Sequence, residues 1–194
     1  MSILSTVCLL GGDETLGQHW QNLLCGRVPH QTAWSVYAGK AYNWSELDFV
    51  LVGVSQLYDY EDVWLHSAPE GLGVRLEGTL GAAGGTEFPS PRLITSAGFL
   101  AVYDFPESPT WATRFYAEAG VGLIYTDFQR PGQGLRLNFN PVAGIGWRRG
   151  RGFLTIRLHH ISNGGLHHDN HGINSLLLGC GWYSDGRAFL KIGG

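Results

Sequence analysis

Cysteine, charged residues and long apolar runs are all scarce in this sequence. The 194-residue chain has three cysteines, and the spacing of Cys8, Cys25 and Cys180 fits neither a disulfide framework nor a zinc site. Charged residues make up 15% of the chain and its net charge is −3, so it lacks the basic surface that nucleic-acid binding requires. No segment approaches the run of about 18 apolar residues that a membrane-spanning helix needs.

The N-terminal segment also lacks a feature that export requires. The stretch "MSILSTVCLLGG" has a short apolar run with no basic residue before it, which makes it a poor secretory signal. Residues 1–30 show no clear periodicity, and we expect them to be a leader or a loosely ordered N-terminal segment. Residues 31–194 are expected to form a single β-barrel domain with a short C-terminal tail.

Glycine and aromatic residues are abundant instead. The 29 glycines and the aromatic content of 12% favour closely packed strands over helices. Turn clusters such as "GAAGGTEFPSP", "DFPESPT" and "QRPGQG" separate strand-like segments. We predict eight strands, at residues 32–39, 47–58, 71–82, 92–104, 111–126, 136–148, 152–162 and 173–183.

Each predicted strand alternates between an apolar face and a face of charged or small residues. A soluble barrel would turn the apolar face inward, whereas a membrane barrel would turn it toward lipid. The strand length of about 10 to 15 residues and the even strand number favour an all-β fold, an eight-stranded antiparallel transmembrane β-barrel. Aromatic residues near the strand ends suggest an interfacial girdle, formed by Trp34, Tyr37, Trp44, Tyr103, Trp111, Tyr125, Trp147, Trp182 and Tyr183. The polar faces predict an ion-pair network in the lumen, formed by Arg75, Glu77, Arg114, Glu118 and Arg157.

The segment "RLHHISNGGLHHDNHGINS" contains five of the eight histidines. His160 and Ser162 share the apolar face of one predicted strand, and Asn174 shares the apolar face of the next. A hairpin between these strands brings the three side chains together. A serine hydroxyl becomes a nucleophile when an imidazole takes its proton and a third group orients that imidazole. Because polar groups that face lipid are costly and tend to be functional, we predict an esterase site acting on a lipid.

The other histidines of this segment allow a competing interpretation. His167, His168 and His171 could bind a metal with the nearby Asp169, but they lack a fixed strand or helix spacing. A solvated loop is the simpler explanation, and we expect neither a metal nor a cofactor. His159 faces the other way, toward the lumen and Arg157, where a hydrogen-bonded interior histidine is expected.

The stretch "HISNGGLHHDNHGIN" resembles the signature of the outer-membrane lipid A 3-O-deacylases, the PagL-type family. The residues in register are His160, Ser162, Asn163, Gly164, Gly165, Leu166, Asn170, Gly172 and Ile173. The resemblance implies an eight-stranded barrel in the bacterial outer membrane that hydrolyses the ester-linked 3-hydroxyacyl chain of lipid A or lipopolysaccharide. It assigns Ser162 as nucleophile and His160 as general base, with Asn163 and Gly164 at the oxyanion site and Asn170 supporting the loop.

One position departs from the family signature. Asn174 stands where the family has a glutamate, twelve residues after the serine. A carboxylate would stabilise the imidazolium formed during proton transfer, whereas an amide can only orient the ring. Two alternatives therefore remain beside the deacylase: a catalytically silent outer-membrane barrel with a structural or lipid-binding role, and a soluble β-barrel that binds an apolar ligand. A homodimer is also left open by the sequence.

Overall fold

The computed structural model describes residues 29–44, 47–64, 66–86, 88–106 and 113–185. Most of the predicted N-terminal segment, residues 1–28, lies outside this range, as do residues 186–194. Within the described residues there are nine strands: β1 (Gln31–Ala41), β2 (Asp48–Asp59), β3 (Leu72–Gly84), β4 (Arg92–Asp104), β5 (Arg114–Thr126), β6 (Leu137–Phe139), β7 (Val142–Arg149), β8 (Gly152–Ile161) and β9 (Ile173–Asp185). All eight predicted strands are present.

Strands β6 and β7 are two parts of one crossing. Leu137 pairs with Tyr125 and Arg148 pairs with Arg114, so both parts keep the same register against β5. The interruption falls at Pro141, which has no N–H to donate to the ladder. The prediction of eight crossing strands is therefore confirmed.

The strands close into a barrel. With β6 and β7 taken as one crossing, each crossing pairs antiparallel with the next along the chain, and β1 pairs with β9 to close the sheet. Closure leaves no sheet edge unpaired, as a strand-built membrane protein requires. The described residues of the connections 42–47, 85–91, 127–136 and 162–172 form the upper rim, and the lower end is where β1 begins and β9 ends.

The outer face of the barrel is apolar. Val52, Ile145 and Leu178 expose 55%, 64% and 59% of their surface, which would be costly in water and suits contact with lipid. The soluble-barrel alternative needs the apolar face to point inward, and it is therefore wrong. Other outward-facing apolar residues are Val36, Val50, Leu80, Leu93, Phe115, Val121, Leu123, Leu154, Ile156, Leu158, Leu176 and Trp182.

The lower half of the lumen holds the predicted ion-pair network. Glu118 accepts hydrogen bonds from Arg75 Nη1 and from Arg157 Nε, both at 2.5 Å. Arg157 also contacts Glu77 through both terminal nitrogens, at 2.5 and 3.0 Å. These charged groups are almost fully buried, so each one depends on its partners for the contacts that water would otherwise provide.

Three predicted positions differ in the structure, and the girdle residue Trp111 lies outside the described residues. Arg114 lies outside the central network and faces Asp104 at 3.9 Å. Tyr37 and Tyr183 do not belong to an outer girdle, because strand alternation turns them into the lumen, where they are 1% and 5% exposed. Their hydroxyls bind the buried charges, with Tyr37 donating to Glu77 at 2.9 Å.

The upper half of the lumen is filled with apolar side chains instead. Trp44, Phe88 and Phe128 pack over the barrel mouth, with ring centroids 5.3 to 6.3 Å apart. Beneath them the buried cluster includes Leu47, Phe49, Ile94, Ile124, Ile161 and Ile173. This packing supports the upper connections from inside the barrel.

A short helix, α1 (Tyr60–Trp64), follows β2 and was not predicted. It packs against the outer face near the lower end, where Val63 buries Val74 and the Trp64 ring lies 6.0 Å from that of Phe99. Among the described residues no helix is both long and apolar enough to cross a membrane.

Replacing Glu118 by glutamine should strongly destabilise the barrel. Arg75 and Arg157 would then lack the negative charge that they share, and we expect the free energy of unfolding to fall by about 3 to 5 kcal/mol. Denaturant unfolding of the barrel in lipid vesicles, followed by tryptophan fluorescence, measures this loss. The matched control is Glu70→Gln at an exposed position of the lower end, where a change within about 0.5 kcal/mol is expected. Equal stabilities of the two variants would contradict the structural role given to Glu118.

Candidate active site

The upper ends of β8 and β9 place three polar side chains on the outer, apolar face. His160 pairs directly with Asn174 across the ladder, as the hairpin prediction requires. The His160 Nδ1–H donates to Asn174 Oδ1 at 2.5 Å. This bond leaves Nε2 of the imidazole as the unprotonated nitrogen of the neutral ring.

Ser162 lies just beyond β8 and forms a bridge with Phe139 of β6. Its backbone N–H donates to Phe139 O at 3.1 Å, and its carbonyl accepts from Phe139 N at 2.8 Å. These bonds continue the strand geometry, so Ser162 keeps the face of His160, about 7 Å further along the chain. Within the described residues the Ser162 hydroxyl makes no hydrogen bond, which leaves it able to approach either the imidazole or a substrate.

The loop after Ser162 is held by the fully buried Asn163. The Asn163 side chain donates to Gln133 O at 2.9 Å and to Asp169 O at 2.6 Å, and it accepts from Gly165 N at 2.9 Å. Its backbone N–H donates to Asn170 Oδ1 at 2.9 Å. Asn163 and Asn170 are therefore joined by a hydrogen bond, and together they fix the conformation of the loop.

Gly164 lies between these anchored positions with a φ of +65°, in the left-handed region that favours glycine. Its N–H donates to no group within the part of the chain that the structure describes. A Cβ at this position would lie 2.8 Å from the Phe139 ring. Both the φ angle and the contact with Phe139 therefore disfavour a side chain at this position. The N–H of Gly164 lies two residues after Ser162.

Asn43, in the β1–β2 connection, holds the other side of the site. Its Oδ1 accepts from the Asn174 backbone N–H at 2.7 Å, and its Nδ2 donates to Gly172 O at 2.8 Å. The Asn174 carbonyl in turn accepts from Tyr42 N at 2.9 Å. The role of Asn43 could not be predicted from the sequence, because no local pattern marks a turn asparagine as the partner of residues about 130 positions away.

Gly172 packs directly against the imidazole. A Cβ there would lie 2.7 Å from His160 Cε1 and 3.3 Å from Nε2, so any larger residue would displace the ring. The Gly172 carbonyl also accepts from Arg130 Nη1 at 2.9 Å. The β5–β6 connection therefore helps to hold the position of His160 by way of Gly172.

The remaining histidines lie apart from this site. His167, His168 and Asp169 hold ligand atoms within 4.8 Å of one another, a group that could accept a metal ion. His171, the third histidine of the competing metal interpretation, instead lies against Gly132. The Asp169 carboxylate faces His168 at 3.4 Å, and no bond joins it to His160 within the described residues.

His159 points into the barrel, as predicted. Its Nδ1 lies 2.8 Å from Ser175 Oγ, and its ring packs on Phe49 with centroids 5.9 Å apart. Both His159 and Ser175 are buried in the wall. This second histidine–serine pair is therefore closed to a lipid substrate and serves the packing of the lumen.

An apolar groove of about 590 Å³ runs along the same outer wall, below the polar group. Ile145, Leu154, Ile156 and Leu178 line it, on strands β7, β8 and β9. Ile156 shares the face of His160, about 13 Å further down β8. The wall thus carries a polar site at the rim and an apolar groove below it.

Comparisons with known proteins agree with this architecture. A sequence model of the lipid A 3-O-deacylase (PagL) family matches residues 48–183. A search of curated protein sequences found no match. Among solved structures the chain is similar to the outer membrane enzyme PagL, with 20% identity and a TM-score of 0.61 over 77% of this chain and 98% of that chain.

Two further solved structures show weaker similarity. Neisserial surface protein A is 16% identical with a TM-score of 0.47, over 80% of this chain and 94% of that chain. Ail, the attachment invasion locus protein of Yersinia pestis, is 12% identical with a TM-score of 0.43, over 79% of this chain and 95% of that chain.

The neutral His160 ring should carry its proton on Nδ1, because the Asn174 carbonyl oxygen can only accept a hydrogen bond. Nitrogen NMR of labelled histidines in detergent micelles distinguishes the two tautomers, and His160→Gln identifies the signals of this ring. In Asn174→Leu the preference for Nδ1 should disappear while the barrel remains folded. A parent ring protonated on Nε2 would contradict this assignment.

Proposed function

Because the chain belongs to the lipid A 3-O-deacylase (PagL) family, we propose that it is a serine esterase that removes the ester-linked 3-hydroxyacyl chain of lipid A. Family membership makes lipid A the substrate class and hydrolysis the reaction class. The family and the apolar outer face also assign the barrel to the bacterial outer membrane. The finer assignment, with Ser162 as nucleophile and His160 as general base, is our proposal.

The observation that carries the proposal is the hydrogen bond between His160 Nδ1 and Asn174 Oδ1 on the lipid-facing wall. It directs the basic Nε2 away from Asn174 and makes it available to the Ser162 hydroxyl. A polar pair on an otherwise apolar outer face has a cost that a purely structural wall would avoid. A substrate embedded in the membrane would meet these groups directly, without leaving the lipid.

These positions support a serine-hydrolase reaction. His160 Nε2 takes the proton of Ser162 as Oγ attacks the ester carbonyl, and a tetrahedral intermediate forms. The Gly164 N–H, which makes no hydrogen bond within the described residues, would stabilise its oxyanion. The imidazolium then gives its proton to the departing sugar oxygen and leaves an acyl-serine, which water hydrolyses with His160 again as base.

The apolar groove supports a placement for the acyl chain. The ester would lie at the rim beside Ser162, and the chain would extend down the wall toward Ile156 and Leu178. Apolar contact along this path would hold the substrate by its chain while the sugar remains at the membrane surface. The wall is polar at the rim and apolar below it, which matches the polar headgroup and the apolar acyl chains of a glycolipid.

A catalytically silent barrel is the second candidate, and Asn174 is the observation that favours it. An amide orients the imidazole but does not neutralise the imidazolium that forms during the reaction. Within the described residues no carboxylate is bonded to His160 in place of the missing acid. The two variants below separate a slow enzyme from an inactive one.

Replacing Ser162 by alanine should abolish deacylation, because the nucleophile is lost. Mass spectrometry of lipid A after incubation with purified protein in detergent should show loss of one 3-hydroxyacyl chain for the parent, and a rate at least about 10³-fold lower for the variant. Ser67→Ala, at an exposed position of the lower end, is the matched control and should retain the parent rate. Deacylation that survives in Ser162→Ala would overturn the role of this serine.

Replacing Asn174 by glutamate should raise the rate of deacylation. The carboxylate would stabilise the imidazolium, and because an acid-to-amide change at this position of a triad can cost up to about 10⁴-fold in rate, the rise should not exceed that factor. Initial rates with the same lipid A report the change, and Asn174→Gln controls for side-chain length without charge. If the parent is inactive and glutamate alone restores hydrolysis, the parent is a silent barrel. If neither protein hydrolyses lipid A, the esterase proposal fails.

A further inference from the structure

Arg130 differs from the other cations near the upper rim. Lys40 faces Asp48 at 3.6 Å, and Arg92 and Arg136 face Asp127 at 3.9 and 3.1 Å. Their positive charges are thus balanced locally. Among the residues that the structure describes, no carboxylate pairs with Arg130.

The guanidinium of Arg130 is nevertheless held in a fixed place. Its Nη1 donates to Gly172 O at 2.9 Å, and its central carbon lies 5.7 Å from the ring centroid of Trp44. Its backbone is fixed by Gln133, whose Oε1 accepts from Arg130 N at 2.8 Å and whose N–H donates to Arg130 O at 2.9 Å. Gln133 itself is fully buried. The Arg130 guanidinium is therefore held in place before a ligand binds.

Arg130 lies beside the candidate active site. Gly172, whose carbonyl binds Arg130, packs on the His160 ring, and Asn43 links the same carbonyl to Asn174. Arg130 lies on the rim, whereas the apolar groove runs down the wall. A glycolipid with its ester at Ser162 and its chain in the groove would bring its headgroup to this side.

We propose that Arg130 binds a phosphate group on the headgroup of the lipid substrate, and so makes the enzyme selective for phosphorylated lipid A. This inference rests on the proposed function. Guanidinium donors match phosphate oxygens in geometry and charge, and a guanidinium held in place loses little freedom on binding. The bond to Gly172 O uses Nη1, and the remaining donors of the fork are free for the anion.

The test compares two substrates that differ only in phosphate: lipid A and a dephosphorylated form with the same acyl chains. The parent should prefer the phosphorylated form by about 10-fold to 100-fold in kcat/KM, mainly through KM. Arg130→Gln should lose this preference, because its kcat/KM should fall about 10-fold to 100-fold more on the phosphorylated form than on the dephosphorylated form. Arg136→Gln, which removes an exposed rim cation paired with Asp127, is the matched control and should keep the preference.

A structural role for Arg130 would give a different result. If the arginine only supports Gly172, Arg130→Gln would slow both substrates equally, and the phosphate assignment would be wrong. Equal use of both substrates by the parent would overturn it as well. Inorganic phosphate should not compete at concentrations similar to the lipid; inhibition of the parent but not of Arg130→Gln would show a site for the free anion instead.

A measurement of lipid affinity tests this inference independently of the proposed function. In a Ser162→Ala background, which removes the nucleophile, the affinity for each lipid can be measured by tryptophan fluorescence in detergent. Tighter binding of the phosphorylated form, lost in Ser162→Ala with Arg130→Gln, would support the phosphate site even if the parent hydrolysed nothing. Equal affinities would refute the phosphate site whether or not the parent is active.

Discussion

The requirement that every backbone N–H and C=O inside a membrane find a partner governs the rest of this structure. Closure of β1 on β9 satisfies that requirement and leaves no free strand edge. Once the barrel is closed, the strand period of two sends alternate side chains to lipid and to the lumen. Any polar residue on the outer face is then an exception to the pattern, and His160, Ser162 and Asn174 are such exceptions.

The interior of the barrel supports that site in two different ways. The buried charges of the lower half fix the spacing of the strands through shared carboxylates, Glu118 above all. The apolar upper half carries the rim connections on a packed surface that includes Phe128 and Ile161. The loop that follows Ser162 therefore packs on the core, and the hydrogen bonds of Asn163 and Asn170 fix its conformation. Such pre-organisation is what ester hydrolysis requires of an oxyanion donor.

Strand positions and strand faces could be predicted because both depend on local pattern. Alternation in β8 and β9 was enough to put His160 and Asn174 on one face, and antiparallel pairing in a hairpin was enough to bring them into contact. The local pattern did not predict which distant residues bind them by hydrogen bonds. Asn43 reaches Gly172 and Asn174 only because closure brings β1 beside β9, and the same closure shows that Tyr37 belongs to the lumen rather than to a girdle.

The sequence alone determined the eight crossings, the apolar face of each strand and the side chains that we propose to react, since alternation and motif are properties of neighbouring residues. Among the described residues, the tertiary structure decided which group of the neutral Asn174 contacts His160, that the Gly164 N–H makes no hydrogen bond, and that Arg130 pairs with no carboxylate. These outcomes depend on contacts between connections far apart in the chain. Only the closed barrel sets the distances between them.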